Sequence, residues 1–189
     1  MTERNAGSFV PKTSLVSIVE DDRFFRESMR RLLRSQGYRV EVFASAADFI
    51  AQLRMNTLSC FLCSAAAVAA FRARGQPGPG GARGGRIVNV AARPALEPRL
   101  GAGMVAYTAS KSAVAALTQA LAQETTDEEI WVNAVAPSVL DTPANRAAMP
   151  DADHRRWVAP ADLAEIIVFL ASPANRVTRG AVIPVYGGS

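Results

Sequence analysis

A chain of 189 residues, 49% hydrophobic and 20% charged, has the size and balance of one globular domain able to bury a core, which excludes a disordered segment. Its net charge of +4 is spread over arginines along the whole sequence, with no block of like charges and no interleaved aromatics, so a nucleic-acid groove is excluded as well. The longest apolar run, around 61–71, is too short to span a bilayer, and the opening MTERNAGSF carries no apolar signal core, so a cytoplasmic protein without a membrane span is expected.

In chain order, residues 1–12 are polar and expected to fray. Residues 15–20 (LVSIVE) form a β-rich run suited to an inner parallel strand, ending at Asp21 and Asp22. A helix follows in which Phe25, Met29, Leu32 and Leu33 make an apolar stripe opposite Arg26, Arg30 and Arg34, and Gly37 stops it. Residues 38–43 alternate strictly, as a half-exposed strand does. Ser45 to Asp48 resembles a capping box opening a short helix that buries Phe49, Ile50 and Leu53. An alanine-rich helix is expected over about 57–74, with Cys60 and Cys63 as small buried residues. The glycine-rich stretch 75–85 is a loop. It leads into a strand, whereas a phosphate cradle follows a strand and opens a helix.

The third strand is Gly85–Val90, followed by a helix over about 107–124 and a fourth strand over 130–136. Residues 137–160 read as a long polar connection, 161–171 as a helix and 181–186 as the last strand. Strands alternating with helices predict an α/β fold: a three-layer αβα sandwich around a five-stranded parallel sheet in the flavodoxin-like order 2-1-3-4-5. Ligands would collect between the first and third strands, where the order reverses.

Chemistry-bearing residues are few. Tyr107 and Lys111 lie four apart, on one helical face. Lys12 and Lys111 are the only lysines. As an exposed helical pair the two would contribute a few tenths of a kcal/mol and nothing more. Asp21 and Asp22 could hold a divalent cation, but without a third partner they read as a solvated loop. His154 has no evident Ser or Cys partner, and no G-x-S-x-G elbow is present. An adventitious esterase using Tyr107, or Ser110 or Ser112 beside Lys111, stays open.

The segments GGRIVNV, YTASKSAVAALTQALA, VNAVAPSVLDT and GAVIPVYGG, in this order from Gly85, resemble the short-chain dehydrogenase/reductase family. The segment APSVLDTPANRAAMPDAD followed by RRW resembles its dihydropteridine reductase branch, and NTLSCF at Asn56 extends the likeness back to about Met55. The front, SIVEDDRFFRESMRRLLRSQGYRVEVFASAADFI, resembles instead the first β-α-β-α of a response-regulator receiver. Residues 1–189 are therefore expected to be a single chimeric α/β domain, receiver-like over 13–54 and dehydrogenase-like over 55–189. The receiver's phosphoacceptor has no counterpart.

The resemblance implies a proton relay. Tyr107 would be the acid/base, and Lys111 would lower the pKa of the phenol and hold the nicotinamide ribose. Asn56 would anchor a water behind Lys111. Pro137, Ser138 and Thr142 would face the nicotinamide of NAD or NADP, and the alanine-rich helices would form a homodimer. Two departures stand out. Ala91 and Ala92 occupy the place of the catalytic serine, and the spacing from Ala92 to Tyr107 is long, with the extra residues within 97–100. Glu20, Asp21 and Asp22 replace the glycine-rich turn, and each carboxylate there opposes a diphosphate by on the order of 1 kcal/mol at water-like screening. The expectation is an oxidoreductase-derived protein with a small-molecule ligand and impaired nucleotide binding. A non-catalytic chimeric or dimeric scaffold is the alternative.

Overall fold

The protein, described by a computed structural model over residues 15–19, 22–43, 47–74 and 84–189, divides into two compact units, Met1–Ile50 and Ala51–Ser189.

In the first unit, β1 (Leu15–Val19) and β2 (Arg39–Phe43) pair in parallel, with Leu15 opposite Arg39. They are joined by α1 (Arg23–Ser35). The Asp22 carboxylate caps this helix by accepting from the Phe25 N–H at 2.8 Å, which satisfies one of its free N-terminal donors. One of the two acids considered for a cation therefore serves as a helix cap, and Asp21 lies outside the described residues. The expected burial of α1 does not hold. Arg26 is buried, while Phe25 and Leu32 are 56% and 54% exposed. A parallel pair of five-residue strands offers a surface too narrow to cover a whole apolar stripe.

Beyond β2, α2 (Ala47–Gln52) runs on into a π-helical turn, Leu53–Leu58, and then α3 (Ser59–Ala73). The two separate helices expected here are one, because no glycine or proline interrupts residues 47–73. The stretch Phe49–Ala73 is long and apolar enough to cross a membrane by length and composition, which the shorter run 61–71 did not suggest. One of its faces is committed to protein contacts: Ser64 and Val68 are buried, and Thr57 Oγ1 donates to the Ser110 carbonyl at 2.9 Å. Cys60 is half-buried, but Cys63 is exposed, against the expectation that both are buried. They lie three apart, as neighbours on the helix surface, and only Cys60 is partly covered.

The second unit is built on β3 (Gly85–Val90), β4 (Ile130–Pro137) and β5 (Val182–Val185), all parallel in the order β3-β4-β5. Between β3 and β4 come α4 (Arg93–Leu96), a 3-10 turn at Pro98–Gly101 and α5 (Val105–Glu124). Between β4 and β5 come α6 (Pro143–Ala148) and α7 (Pro160–Ala171). Of the five-stranded order expected, the described pairings contain β1–β2 and β3–β4–β5 as two sheets.

Side chains on β4 alternate between the faces of the sheet, and its core follows that period. Ile130 and Val132 pack with Ile87, Val68 and Ala122 against α3 and α5. Val135 packs with Val185, Leu163 and Leu170, the last two from α7. Helices therefore cover both faces of this sheet, and each fully buried Val, Leu or Ile contributes about 1.5–3 kcal/mol. One polar residue sits on the α5 face. Asn89 donates to Thr118 Oγ1 at 2.9 Å and accepts from Ser64 Oγ at 3.4 Å, tying β3 to α5 and α3.

Two glycines permit close approaches. Gly84 has φ +84°, and a Cβ there would lie 2.0 Å from the Glu129 carbonyl oxygen. At Gly101 a Cβ would lie 1.9 Å from Thr108 Oγ1, so a bare backbone is needed where the 3-10 turn meets α5.

Candidate active site

A cavity of about 600 Å³ opens at the carboxyl ends of β3 and β4, where parallel sheets gather ligands. The chain leaving β3 supplies Ala91, Ala92 and Arg93; α5 supplies Tyr107 and Lys111; the chain leaving β4 supplies Pro137 to Leu140. Residues beyond β4 are pinned by a parallel bridge between Leu140 and Val158, with Asp141 N–H donating to the Val158 carbonyl at 2.8 Å. What reads in sequence as a loose connection is thus a fixed wall.

Tyr107, in the first turn of α5, and Lys111, one turn later, are both half-buried on this cavity. Lys111 Nζ donates to the Val90 carbonyl at 2.9 Å and lies 5.9 Å from the centre of the Tyr107 ring. The expected lowering of the phenol pKa by this ammonium does not appear. Burial pushes the Tyr107 phenol above its ordinary 10.0. Burial also pulls the Lys111 ammonium below its ordinary 10.5, opposed by the Cys60 thiol nearby. With Nζ turned to a backbone carbonyl, desolvation outweighs attraction between the pair.

Asn56 lies in the π-helical turn, a form that recurs at functional sites because it reorients one or two side chains. Its amide donates to Ser110 Oγ at 2.9 Å and to Gln52 Oε1 at 3.0 Å, and Ser110 Oγ donates to the Tyr107 carbonyl at 2.7 Å. Asn56 is thereby locked onto the turn of α5 that carries Tyr107 and Lys111, but it does not line the cavity. Both its N–H groups are engaged.

The nicotinamide-side residues divide. Pro137 and Ser138 line the cavity, and Thr142 does not. Thr142 instead caps α6, its hydroxyl accepting from the Asn145 N–H at 3.2 Å. The Ser138 hydroxyl donates to the Tyr186 carbonyl at 2.9 Å and accepts from Ser189 Oγ at 3.0 Å. Ala91 and Ala92 are buried in the wall, so no hydroxyl stands at the expected serine position.

Other candidates fall away. Ser110 is 0% exposed, so it offers no nucleophile. His154 Nε2 pairs with the Met149 carbonyl at 2.9 Å and its ring meets Trp157 at a tilt of 49°, and neither ring lines the cavity. Among the described residues no group of three His, Cys, Asp or Glu side chains could hold a metal ion. The sequence reading missed Arg93, Met104, Asn145 and Met149 as cavity residues. Arg93, a charged residue directly after a buried strand and two alanines, was the available signal.

A family model described as enoyl-(acyl carrier protein) reductase matches residues 35–189. The chain belongs to the short-chain dehydrogenase/reductase family. The match begins inside the stretch 13–54 read as receiver-like, so 54/55 is not the edge of short-chain dehydrogenase sequence. Among its relatives, the 2-dehydro-3-deoxy-D-gluconate 5-dehydrogenase of Escherichia coli (strain K12) is 35% identical over 156 residues, covering 76% of this chain and 57% of that protein. The chain thus spans little more than half the length of this relative. Acetoin dehydrogenase from Enterobacter cloacae shares the fold, with a TM-score of 0.63 at 24% identity over 93% of this chain and 85% of that one. So does L-sorbose reductase from Gluconobacter frateurii, complexed with NADPH and L-sorbose, with a TM-score of 0.61 at 18% identity over 92% and 86% of the two chains.

Proposed function

We propose that this short-chain dehydrogenase/reductase site interconverts an alcohol and a carbonyl compound, with Tyr107 as the proton donor and acceptor. One observation carries the reading: Tyr107 and Lys111 face the same cavity as Pro137 and Ser138, at the carboxyl ends of β3 and β4. The donors present fit the nicotinamide–ribose end of NAD or NADP, since an ammonium able to leave a backbone carbonyl and an apolar wall are what a ribose and a nicotinamide ring require. Lys111, Pro137 and Ser138 would hold that end, and the nucleotide, when bound, supplies or accepts the hydride.

The chain's own residues handle the proton. Tyr107 Oη gives it to the carbonyl oxygen during reduction and takes it back from the hydroxyl during oxidation. Lys111 swings from the Val90 carbonyl toward the ribose and phenol, restoring the charge that lowers the phenol pKa. Asn56 keeps the turn of α5 beneath both groups in register through Ser110. The missing hydroxyl at Ala92 leaves polarisation of the carbonyl to Tyr107, which suits an already electron-poor substrate. We propose that nucleotide binding is weakened by the acids at 20–22. The receiver-like origin of the front segment rests on its sequence alone.

The exposed apolar residues Leu58, Phe61 and Leu62 support a homodimer through α3 and α5. The groove between these helices carries Arg72 at one side and Glu124 at the other, so a second copy could meet it with opposite charge. Oxidoreductase activity is tested by titrating NADPH and NADH against the protein and following their fluorescence, then assaying carbonyl reduction. Tyr107→Phe should reduce kcat by about 10²–10⁴-fold while leaving nucleotide binding intact. No change in nucleotide fluorescence up to millimolar concentration would remove the proposal.

A further inference from the structure

The cavity wall carries a cationic side chain that the Tyr/Lys couple does not account for. Among the described residues the charged groups on its wall are Arg93 and Lys111, both cationic. Lys111 has a role in the reading above. Arg93 does not.

Arg93 opens α4, directly after Ala92. Its guanidinium carbon lies over the Tyr186 ring, 4.4 Å from the ring centre, a cation–π contact that helps to hold the group in place. Nη1 donates to Ser189 Oγ at 3.4 Å and Nη2 to Glu97 Oε2 at 3.3 Å. Nε lies 3.3 Å from Glu97 Oε1 and is buried without a hydrogen bond. Elsewhere the same chain makes tight two-pronged pairs: Arg72 with Glu128 at 2.6 and 2.6 Å, and Arg146 with Asp141 at 2.5 and 2.7 Å. By that standard Arg93 is loosely held. Its partner Glu97 is 41% exposed while Arg93 is 24% exposed, so the carboxylate is the more solvated member, although it also carries a side-chain hydrogen bond with Tyr186. A buried N–H donor left unpaired is a standing cost that a correctly placed acceptor removes.

We propose that Arg93 is a specificity-determining residue that binds a carboxylate of the substrate, so that the site takes an oxo- or hydroxy-carboxylate in preference to a neutral carbonyl compound. A planar carboxylate matches the fork of a guanidinium, and this one is already held over the Tyr186 ring. Because Ala92 stands where the sequence places the polarising hydroxyl, its neighbour Arg93 brings that carboxylate close to the reacting carbon. Pairing with Arg93 neutralises the charge of the acid group beside the carbonyl, and Tyr107 supplies the proton. Glu97 then keeps the guanidinium oriented until the substrate arrives.

The inference rests on the oxidoreductase reading of the cavity, so its test has a binding arm and a turnover arm. Malonate and its neutral dimethyl ester are titrated into the full-length protein by calorimetry. Acetoacetate and methyl acetoacetate are compared as substrates with NADPH. The wild type should favour each acid over its ester by about tenfold or more, the scale of one charge-assisted pair. Arg93→Met should bring both ratios to near one with the melting midpoint preserved. Glu97→Gln, which removes the competing carboxylate, should tighten malonate several-fold, and a merely structural Arg93–Glu97 pair would not do this. If Arg93→Met fails to fold, the Glu97→Gln result decides. Equal handling of acid and ester by the wild type, or no tightening in Glu97→Gln, overturns the assignment. Malonate bound through Arg93 with no turnover of either ketone would leave this site standing and remove the oxidoreductase reading instead.

Discussion

The helices α3 and α5 pack on the same face of β3 and β4, yet they distribute polarity in opposite ways. On α5, Ser110 and Thr118 are buried hydroxyls, each donating to a carbonyl of its own helix, those of Tyr107 and Val114. On α3 and the π-helical turn before it, Leu58, Phe61 and Leu62 are exposed. Burial here follows hydrogen-bond partners and packing neighbours rather than hydropathy. The satisfied hydroxyls of α5 hold the turn that carries Tyr107 and Lys111, and the apolar residues of α3 and the π-helical turn before it stay exposed.

The comparison can be broken most sharply at the polar seam between the two helices. Asn89→Ala removes the acceptor of Ser64 and the donor to Thr118. It should cost about 2–3 kcal/mol of unfolding free energy, measured by urea titration. A loss below about 0.5 kcal/mol, the ordinary range for surface changes, would mean that the seam is incidental.

A smaller effect on stability is expected from the opposite face. The pair Phe61→Ser and Leu62→Ser should change the unfolding free energy of the dilute protein by no more than about 0.5 kcal/mol. The same pair should halve the mass seen by light scattering at tens of micromolar. A wild type that is already monomeric at that concentration would leave the apolar face of α3 without its proposed occupant.

The smallest effect is expected at the mouth of the cavity. Burial raises the Tyr107 phenol above 10.0, so its stabilising contribution is fully present below its unfolded pKa and is lost as pH rises through the folded value. The stability difference between wild type and Tyr107→Phe should therefore be flat near neutral pH and move against the wild type above about pH 10. A difference that begins to move below about pH 9 would indicate a phenol already lowered by Lys111 without nucleotide.

Much of the second unit was legible because its signals are local. The apolar runs of β3 and β4, the four-residue spacing of Tyr107 and Lys111, and the two alanines after Val90 each correspond to what the structure shows. The short helix expected after Ser45 and the alanine-rich helix expected from about 57 are one continuous run over 47–73. The backbone passes from one to the other as a π turn. Thr142 was assigned to a cofactor on motif alone, whereas its local role as the cap of α6 follows from the proline beside it. In the first unit the periodicity of α1 was visible in the sequence, but not which face two strands could cover.

The sequence by itself determined the family, the parallel α/β architecture of the second unit and the shared helical face of Tyr107 and Lys111, since these rest on motif, period and spacing along one chain. Only the tertiary structure decided where Lys111 points, which hydroxyls are already engaged and that Arg93 shares a cavity with Tyr107. Those outcomes depend on burial and on partners tens of residues away, such as the Val90 carbonyl for Lys111 and Tyr186 for Ser138 and Arg93, which meet only after the chain has folded around them.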